Sequence, residues 1–239
     1  MGAKTKFSAA EAGEGMEYMA MAGWKTGDML EGIEPILNLA IASGEELGST
    51  SDIVTDALTG FGLKAKDAGM FSDVLAAASS NANTNVGMMG ETFKYAAPVA
   101  GALGYSVQDT SLAIGLMANS GIKASQAGTA LRAGLTNLVK PTDSMADMME
   151  KYGISVENSD GKMKSFREVM SDLREKMGGL DEATQASAVA TIFGKEAMSG
   201  WLSIINASEG DFDKLANAID NSEGATAKMA KTMSENAKG

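Results

Sequence analysis

The sequence predicts an all-α protein, a multi-helix domain of short capped helical hairpins with one small β-hairpin near 154–164. Three observations lead there. Gly and Met are abundant, with 28 and 18 residues against 7 Phe, 4 Tyr, 2 Trp and 3 Pro, which suits small helices in close contact with flexible thioethers filling the gaps. Capping residues recur just ahead of apolar residues at helical spacing. Glycine repeatedly follows the last periodic residue, where a left-handed residue closes a helix. With 44% hydrophobic residues over 239 positions, the chain can bury a real core.

The first helix starts at Ser8, which forms a capping box with Glu11, and runs to about Ala22, where Gly23 stops it. A second begins near Gly27. Pro35 falls inside its apolar run, so a break is expected near Gly32, with a fresh helix over 35–43. Ser49, Thr50 and Ser51 offer caps for a helix from Asp52 to Phe61 that Gly62 ends, and another spans Asp67 to Ser80. The polar string from Ser79 to Asn85 reads as a connection, with Asn85 as cap for a helix resuming at Val86. Pro98 is expected to kink or split that helix before Gly104. Ser106, with Asp109 in the reciprocal capping position, opens the next one, and Gly121 closes it. Ser125 to Val139 follows, stopped by Pro141, and Thr142 caps Asp143 to Tyr152.

Beyond Tyr152 the pattern changes. Ile154, Ser155 and Val156, facing Met163 across Asn158, Ser159, Asp160 and Gly161, suit a short β-hairpin with Gly161 at positive φ. Ser165 with Glu168 opens a helix to about Met177, Asp181 starts another to Phe193, and helices over Lys195 to Asn206 and Asp211 to Asp220 follow. The end beyond 224 is expected to fray. The chain divides into a helical core over 1–140 and a helical continuation over 141–239 that contains the hairpin at 154–164.

An internal correspondence runs at a constant offset of 98 residues: Phe7, Ser8, Glu11, Met19, Ala20, Gly23 and Lys25 recur as Tyr105, Ser106, Asp109, Met117, Ala118, Gly121 and Lys123. A weaker third copy begins at Gly62 and Leu63 and keeps Asp67. Its unequal offset argues against a regular solenoid. The two stronger copies predict a reused helical hairpin whose halves pack pseudo-symmetrically.

Composition also excludes chemistry. The net charge of −11 repels phosphate backbones and anionic headgroups, so no direct nucleic acid binding is expected. Absence of Cys and His removes thiolate and imidazole sites. No apolar run of about 18 residues occurs, and the first ten residues lack a signal peptide's apolar centre, so a soluble cytosolic chain is expected. The acidic pairs Glu45 with Glu46, Asp181 with Glu182 and Glu14 with Glu17 read as solvated or helix-start charges rather than acid–base catalysts. Asp56, Asp67 and Asp73 lack calcium-loop spacing, and Asn158 to Gly161 is a turn. Gly60 to Gly62 and Gly101 to Gly104 follow helices and read as helix stops, not phosphate loops. The Met-rich stripe, from Met16 and Met19 to Met148 and Met149, is assigned mainly to core or subunit packing. No catalytic, cofactor-binding or metal-ligating residue is therefore named, no cofactor is expected, and the chain reads as a non-enzyme.

From Gly15 to Leu63 the string GMEYMAMAGWKTGDMLEGIEPILNLAIASGEELGSTSDIVTDALTGFGL resembles the conserved core of the phage tail tape measure family. The likeness continues through Asp73 to Leu138, which contains SSNANTNVGMMGETFKYAAPVAGALGYSVQDTSLAIGLMANSGIKASQAGTALRAGLTNL. It is looser but correctly ordered from Gly153 to Val156, Gly161 to Met163 and Ile192 to Ala197. The resemblance implies a structural component of a long-tailed phage or prophage tail. Such a protein sets tail length, scaffolds tube assembly and is released at DNA ejection. It also implies the tail tube protein, tail assembly chaperones and tail tip proteins as partners, with self-association. Location in the virion tail follows, preceded by the host cytoplasm during assembly. The alternative is a membrane-active module in which Met-, Ala- and Gly-rich helices join a DNA delivery channel in the host envelope.

Overall fold

The computed structural model describes residues 7–236. Thirteen α-helices follow one another among them: α1 (Ala9–Met21), α2 (Thr26–Ser43), α3 (Leu47–Phe61), α4 (Ala68–Asn81), α5 (Val86–Ala102), α6 (Val107–Asn119), α7 (Ala124–Val139), α8 (Asp143–Tyr152), α9 (Phe166–Met177), α10 (Glu182–Phe193), α11 (Met198–Ile205), α12 (Glu209–Asp220) and α13 (Ala225–Asn236). A 3-10 turn at Ala65–Asp67 precedes α4. No sheet is present among the described residues, so the all-α expectation holds.

Helix ends follow local chemistry closely. Ser8 and Glu11 close a capping box on α1, and Ser165 and Glu168 close another on α9. The Asn85 side chain accepts the Met88 N–H at 2.7 Å. Five helices share one closing motif, in which the amide of the residue after the turn returns to the last helical turn. Trp24, Leu63, Tyr105, Ile122 and Ile154 donate to the carbonyls of Met19, Leu58, Ala100, Met117 and Met149 at 2.8–3.0 Å. The residue before each is glycine at φ between +65° and +85°, the left-handed position that costs a Cβ-bearing residue energy.

Several expectations are corrected. Pro35 and Pro98 divide nothing: α2 and α5 run through them unbroken. An interior proline costs roughly 3 kcal/mol, but each helix is held by buried residues on both sides of the ring, Ile33, Ile36 and Leu37 around Pro35 and Ala96, Ala97 and Ala100 around Pro98. Ser49, Thr50 and Ser51 are not caps, because α3 already begins at Leu47. Thr50 and Ser51 lie buried within it, and the Thr50 hydroxyl donates to Glu46 O at 2.9 Å. The β-hairpin near 154–164 is reduced to one antiparallel bridge, Glu157 to Met163, with Gly161 at φ +71°. Beyond 224, where fraying is expected, Ala225–Asn236 forms α13, which packs on α2 and α4, and residues 237–239 lie outside the described residues.

The helices alternate between two rows. α1, α3, α5 and α7 pack side by side in one, and α2, α4 and α6 in the other. α12 and α13 cover the second row, and α8 to α11 build outward from α6 and α7. Glycines let the first row close up: a Cβ on Gly101 of α5 would stand 2.5 Å from Gly60 O and 2.6 Å from Phe61 Cα of α3. A single hydrophobic cluster runs from Phe7 to Ala230. Its centre is α6, where every residue from Asp109 to Ala118 is buried.

The 98-residue correspondence is real in local structure. α1 and α6 have the same length, and Met19 and Met117 are both fully buried. Yet α1 occupies the end of the first row and α6 the middle of the molecule, separated by α3 to α5. The two copies do not pack as symmetric halves against each other.

Candidate functional site

Glu11, Glu14, Glu45 and Glu46 line one open pocket between α1 and the α2–α3 turn, whereas Asp181 and Glu182 stand at the start of α10. Glu46 precedes α3, Glu14 and Glu17 lie on the exposed face of α1, and Asp181 caps α10 by accepting the Thr184 N–H at 3.0 Å. Bonds from Thr184 hold the Asp181 carboxyl below its usual range. Asp67 accepts the Lys64 N–H at 2.8 Å, while Asp73 reaches the start of α13. Asp56 stays on the surface of α3, its carboxyl raised by partial desolvation and by the Asp52 charge, with Lys94 opposing. The Asn158 side chain accepts the N–H groups of Asp160 and Lys162, both at 3.0 Å, as a turn does. Among the described residues no group of three or more His, Cys, Asp or Glu side chains is placed to hold a metal ion.

The methionines divide by depth. Met19, Met89, Met117, Met149, Met170 and Met177 are buried, Met16, Met29 and Met148 pack partly buried against the core, and Met21 is 68% exposed. They serve mainly as filling between closely spaced helices.

The polar chemistry concentrates instead on a seam where the second part of the chain meets α6 and α7. Ser106 caps α6 by accepting the Asp109 N–H at 3.0 Å, but Asp109 does not return the bond. Its carboxylate accepts from Arg167 of α9, from Nε at 2.9 Å and from the backbone N–H at 3.2 Å. The same guanidinium donates both terminal nitrogens to Asp220, the last residue of α12, at 2.6 and 2.9 Å. One side chain thus ties α6, α9 and α12. The hydrogen bond to Asp220, then the Asp109 charge, raise the Arg167 pKa, against its partial burial.

Trp201 completes the seam. It is fully buried, donates Nε1–H to Ala130 O at 2.9 Å, and stacks on Phe193 with ring centroids 4.1 Å apart. Its indole fills the space where Gly134 of α7 lacks a side chain. Nearby, Arg174 donates to Ile204 O and Ala207 O and lies 4.7 Å over the Phe212 ring. Gln185 and Asn206 exchange two amide bonds of 2.8 Å. Beside the seam an open groove of about 630 Å³ runs between α7 and the α10–α11 turn, past Ser125, Thr129, Phe193 and Lys195.

Sequence reasoning missed Arg167, Asp220, Trp201 and the true partner of Asp109. A faint signal existed: the chain has only three Arg among its 20 basic residues, and a planar five-donor group is what a shared carboxylate site requires.

The arrangement is thus a set of staples between helices. A family model described as "Phage-related minor tail protein" matches residues 1–194. The chain is 39% identical over 236 residues to the "Tape measure protein" of Pneumococcus phage Dp-1, covering 99% of this chain and 20% of that protein. It is 29% identical over 240 residues to the "Probable tape measure protein" of Escherichia phage P2, covering 99% of this chain and 29% of that one. The chain therefore spans less than a third of the length of either relative. No solved structure matches it. With 194 of its 239 residues matched, the chain belongs to the phage-related minor tail protein family.

Proposed function

We propose that this chain is a folded structural segment of a tape measure protein, acting in a phage tail as an assembly domain rather than as the measuring rod. The observation behind this is the brevity of its helices. The longest, α2, has 18 residues, about 27 Å at 1.5 Å per residue. One unbroken helix of the whole chain would span roughly 360 Å. Length measurement then belongs to other parts of the whole protein. The 1–140 core and the 141–239 continuation act as one piece, which their shared hydrophobic cluster supports.

In this reading the segment scaffolds tail tube assembly with the tube protein, assembly chaperones and tail tip proteins, beginning in the host cytoplasm and ending in the virion tail. Its role is non-enzymatic. The membrane-active alternative finds no support in helix length: among the described residues no helix is long and apolar enough to cross a membrane.

The test is genetic. In a phage whose tape measure gene encodes this segment, in-frame deletions in flanking helical regions should shorten tails in proportion, by electron microscopy. Point variants that unfold the seam, such as Trp201→Ala, should abolish tails without altering the length of any that form. Tails shortened in proportion by deletions inside the segment would overturn the assignment.

A further inference from the structure

The turn between α1 and α2 is tightly built, yet it leaves two large apolar side chains in water. The Trp24 N–H closes α1 on Met19 O, and the Lys25 N–H donates to the Asp28 carboxylate, both at 3.0 Å. The Trp24 ring occupies the space where Gly32 of α2 lacks a side chain. On either side of this turn Met21 is 68% exposed and Leu30 61%, the two highest values for a large hydrophobic side chain among the described residues. Leu30 stands at i, i+3, i+7 spacing with Ile33 and Leu37, both of which are buried. The apolar stripe of α2 thus runs on past the core that covers it.

The same part of the chain concentrates negative charge. From Phe7 to Leu63 there are ten carboxylates and one basic residue, Lys25, in a chain whose net charge is −11. Glu17 stands one turn before Met21, Glu31 and Glu34 follow Leu30 at i+1 and i+4, and all three are exposed. None of the three pairs with a cation among the described residues. Other exposed apolar side chains have a different setting: Met163 stands between Lys162 and Lys164, and Val139 precedes Lys140.

We propose that the outer face of the α1–α2 turn docks a basic amphipathic helix of a partner protein. Its apolar side chains would cover Met21 and Leu30, and its Lys or Arg residues would face Glu17, Glu31 and Glu34. Charge complementarity selects this occupant. A second copy meeting this face across a two-fold axis would set the same carboxylates against each other, and an anionic lipid surface is repelled by them. Two neighbouring helix ends present the ridges across which a third helix packs, and the flexible Met21 thioether adjusts to its partner. The inference stands on this surface alone, so it can fail while the role as an assembly segment holds.

Fluorescence anisotropy with the full chain tests it. The probe is a labelled synthetic helix of Leu and Lys at heptad spacing, about 18 residues long; a second probe carries Glu in place of Lys. The Leu–Lys probe should bind at about 0.1 M salt and weaken as salt rises, and the Leu–Glu probe should not bind. Met21→Ser with Leu30→Ser should weaken the Leu–Lys probe about tenfold, with circular dichroism unchanged. Glu31→Lys with Glu34→Lys should weaken it at least about tenfold, whereas the same charge change on α8, Asp147→Lys with Glu150→Lys, should alter it less than about twofold. Equal losses from the two reversals would mean general attraction to an acidic protein and refute the site. Undiminished binding to the serine variant refutes it too, as does failure of the Leu–Lys probe to bind. Dimers in sedimentation that the serine pair abolishes, or uptake of the parent chain by phosphatidylcholine vesicles, would give the face to a second copy or to lipid and overturn the choice of occupant.

Discussion

Replacing Arg167 by Met separates burial from bond length as the source of the seam's strength. The guanidinium's bonds to Asp220 are two-pronged, and one is as short as 2.6 Å; ranked by distance, Asp220 is the stronger partner. Exposure ranks them the other way: the Asp109 side chain is 10% exposed and that of Asp220 is 45%. A half-exposed ion pair is worth about 0–1 kcal/mol. Stripping the partner from a buried carboxylate costs roughly 3–5 kcal/mol, and here the Arg167 backbone N–H remains to satisfy one oxygen. Arg167→Met should therefore destabilise the fold by about 3 kcal/mol, nearly all of it through Asp109. Asp109→Asn should cost about 2 kcal/mol and Asp220→Asn under about 1 kcal/mol. Urea unfolding followed by far-UV circular dichroism reads these values as midpoint shifts at constant slope. A double-mutant cycle should give a larger coupling for Arg167 with Asp109 than with Asp220. If Asp220→Asn proves as costly as Asp109→Asn, or Arg167→Met costs under about 1 kcal/mol, the burial argument is refuted.

Gly101→Ala should destabilise by about 1–3 kcal/mol, because its Cβ would meet the α3 backbone rather than a side chain that can move. Gly13→Ala, with nothing within 4 Å on an exposed helix face, should raise stability by about 0.8 kcal/mol; thermal melts of the two variants should shift in opposite directions. Tyr105 is buried, its hydroxyl has no partner, and burial pushes its phenol up to about 12. Tyr105→Phe should therefore be neutral or stabilising at pH 7. It should also reduce the alkaline loss of stability, since the folded state holds the phenolic proton more tightly and that advantage disappears as pH rises through the folded value. Asp181→Ala removes a cap whose carboxyl pKa is depressed in the folded state. The cap's contribution is complete above the ordinary carboxylate range and lost as pH falls through the lower folded value, so the stabilities of parent and variant should converge in acid titrations.

Interactions that close within a few residues were legible. Ser8 with Glu11, Ser165 with Glu168, Asn85 with Met88 and the glycines at 23, 62 and 121 each meet their partners inside one turn of chain, so spacing alone located most helix ends. Pro35 and Pro98 misled for the opposite reason: a local penalty was weighed without the buried residues that outweigh it. The serines and threonine at 49–51 misled because hydroxyls also satisfy themselves inside a helix, as Thr50 does on Glu46 O. For the site, none of the staples could be placed, because each joins residues tens of positions apart in the chain.

What the sequence determined by itself is the all-α class, the succession of capped helices and the family resemblance, because each rests on residues near one another along the chain. Tertiary structure alone decided that Asp109 turns from its own helix cap to Arg167, 58 residues away, and that Asp73 caps a helix 151 residues on. It also placed the two copies of the repeated hairpin in different surroundings, α1 at an edge and α6 at the centre. Asp109 has an alternative partner at its own helix start, and the choice falls to the donor that the folded core brings to it and shields from water.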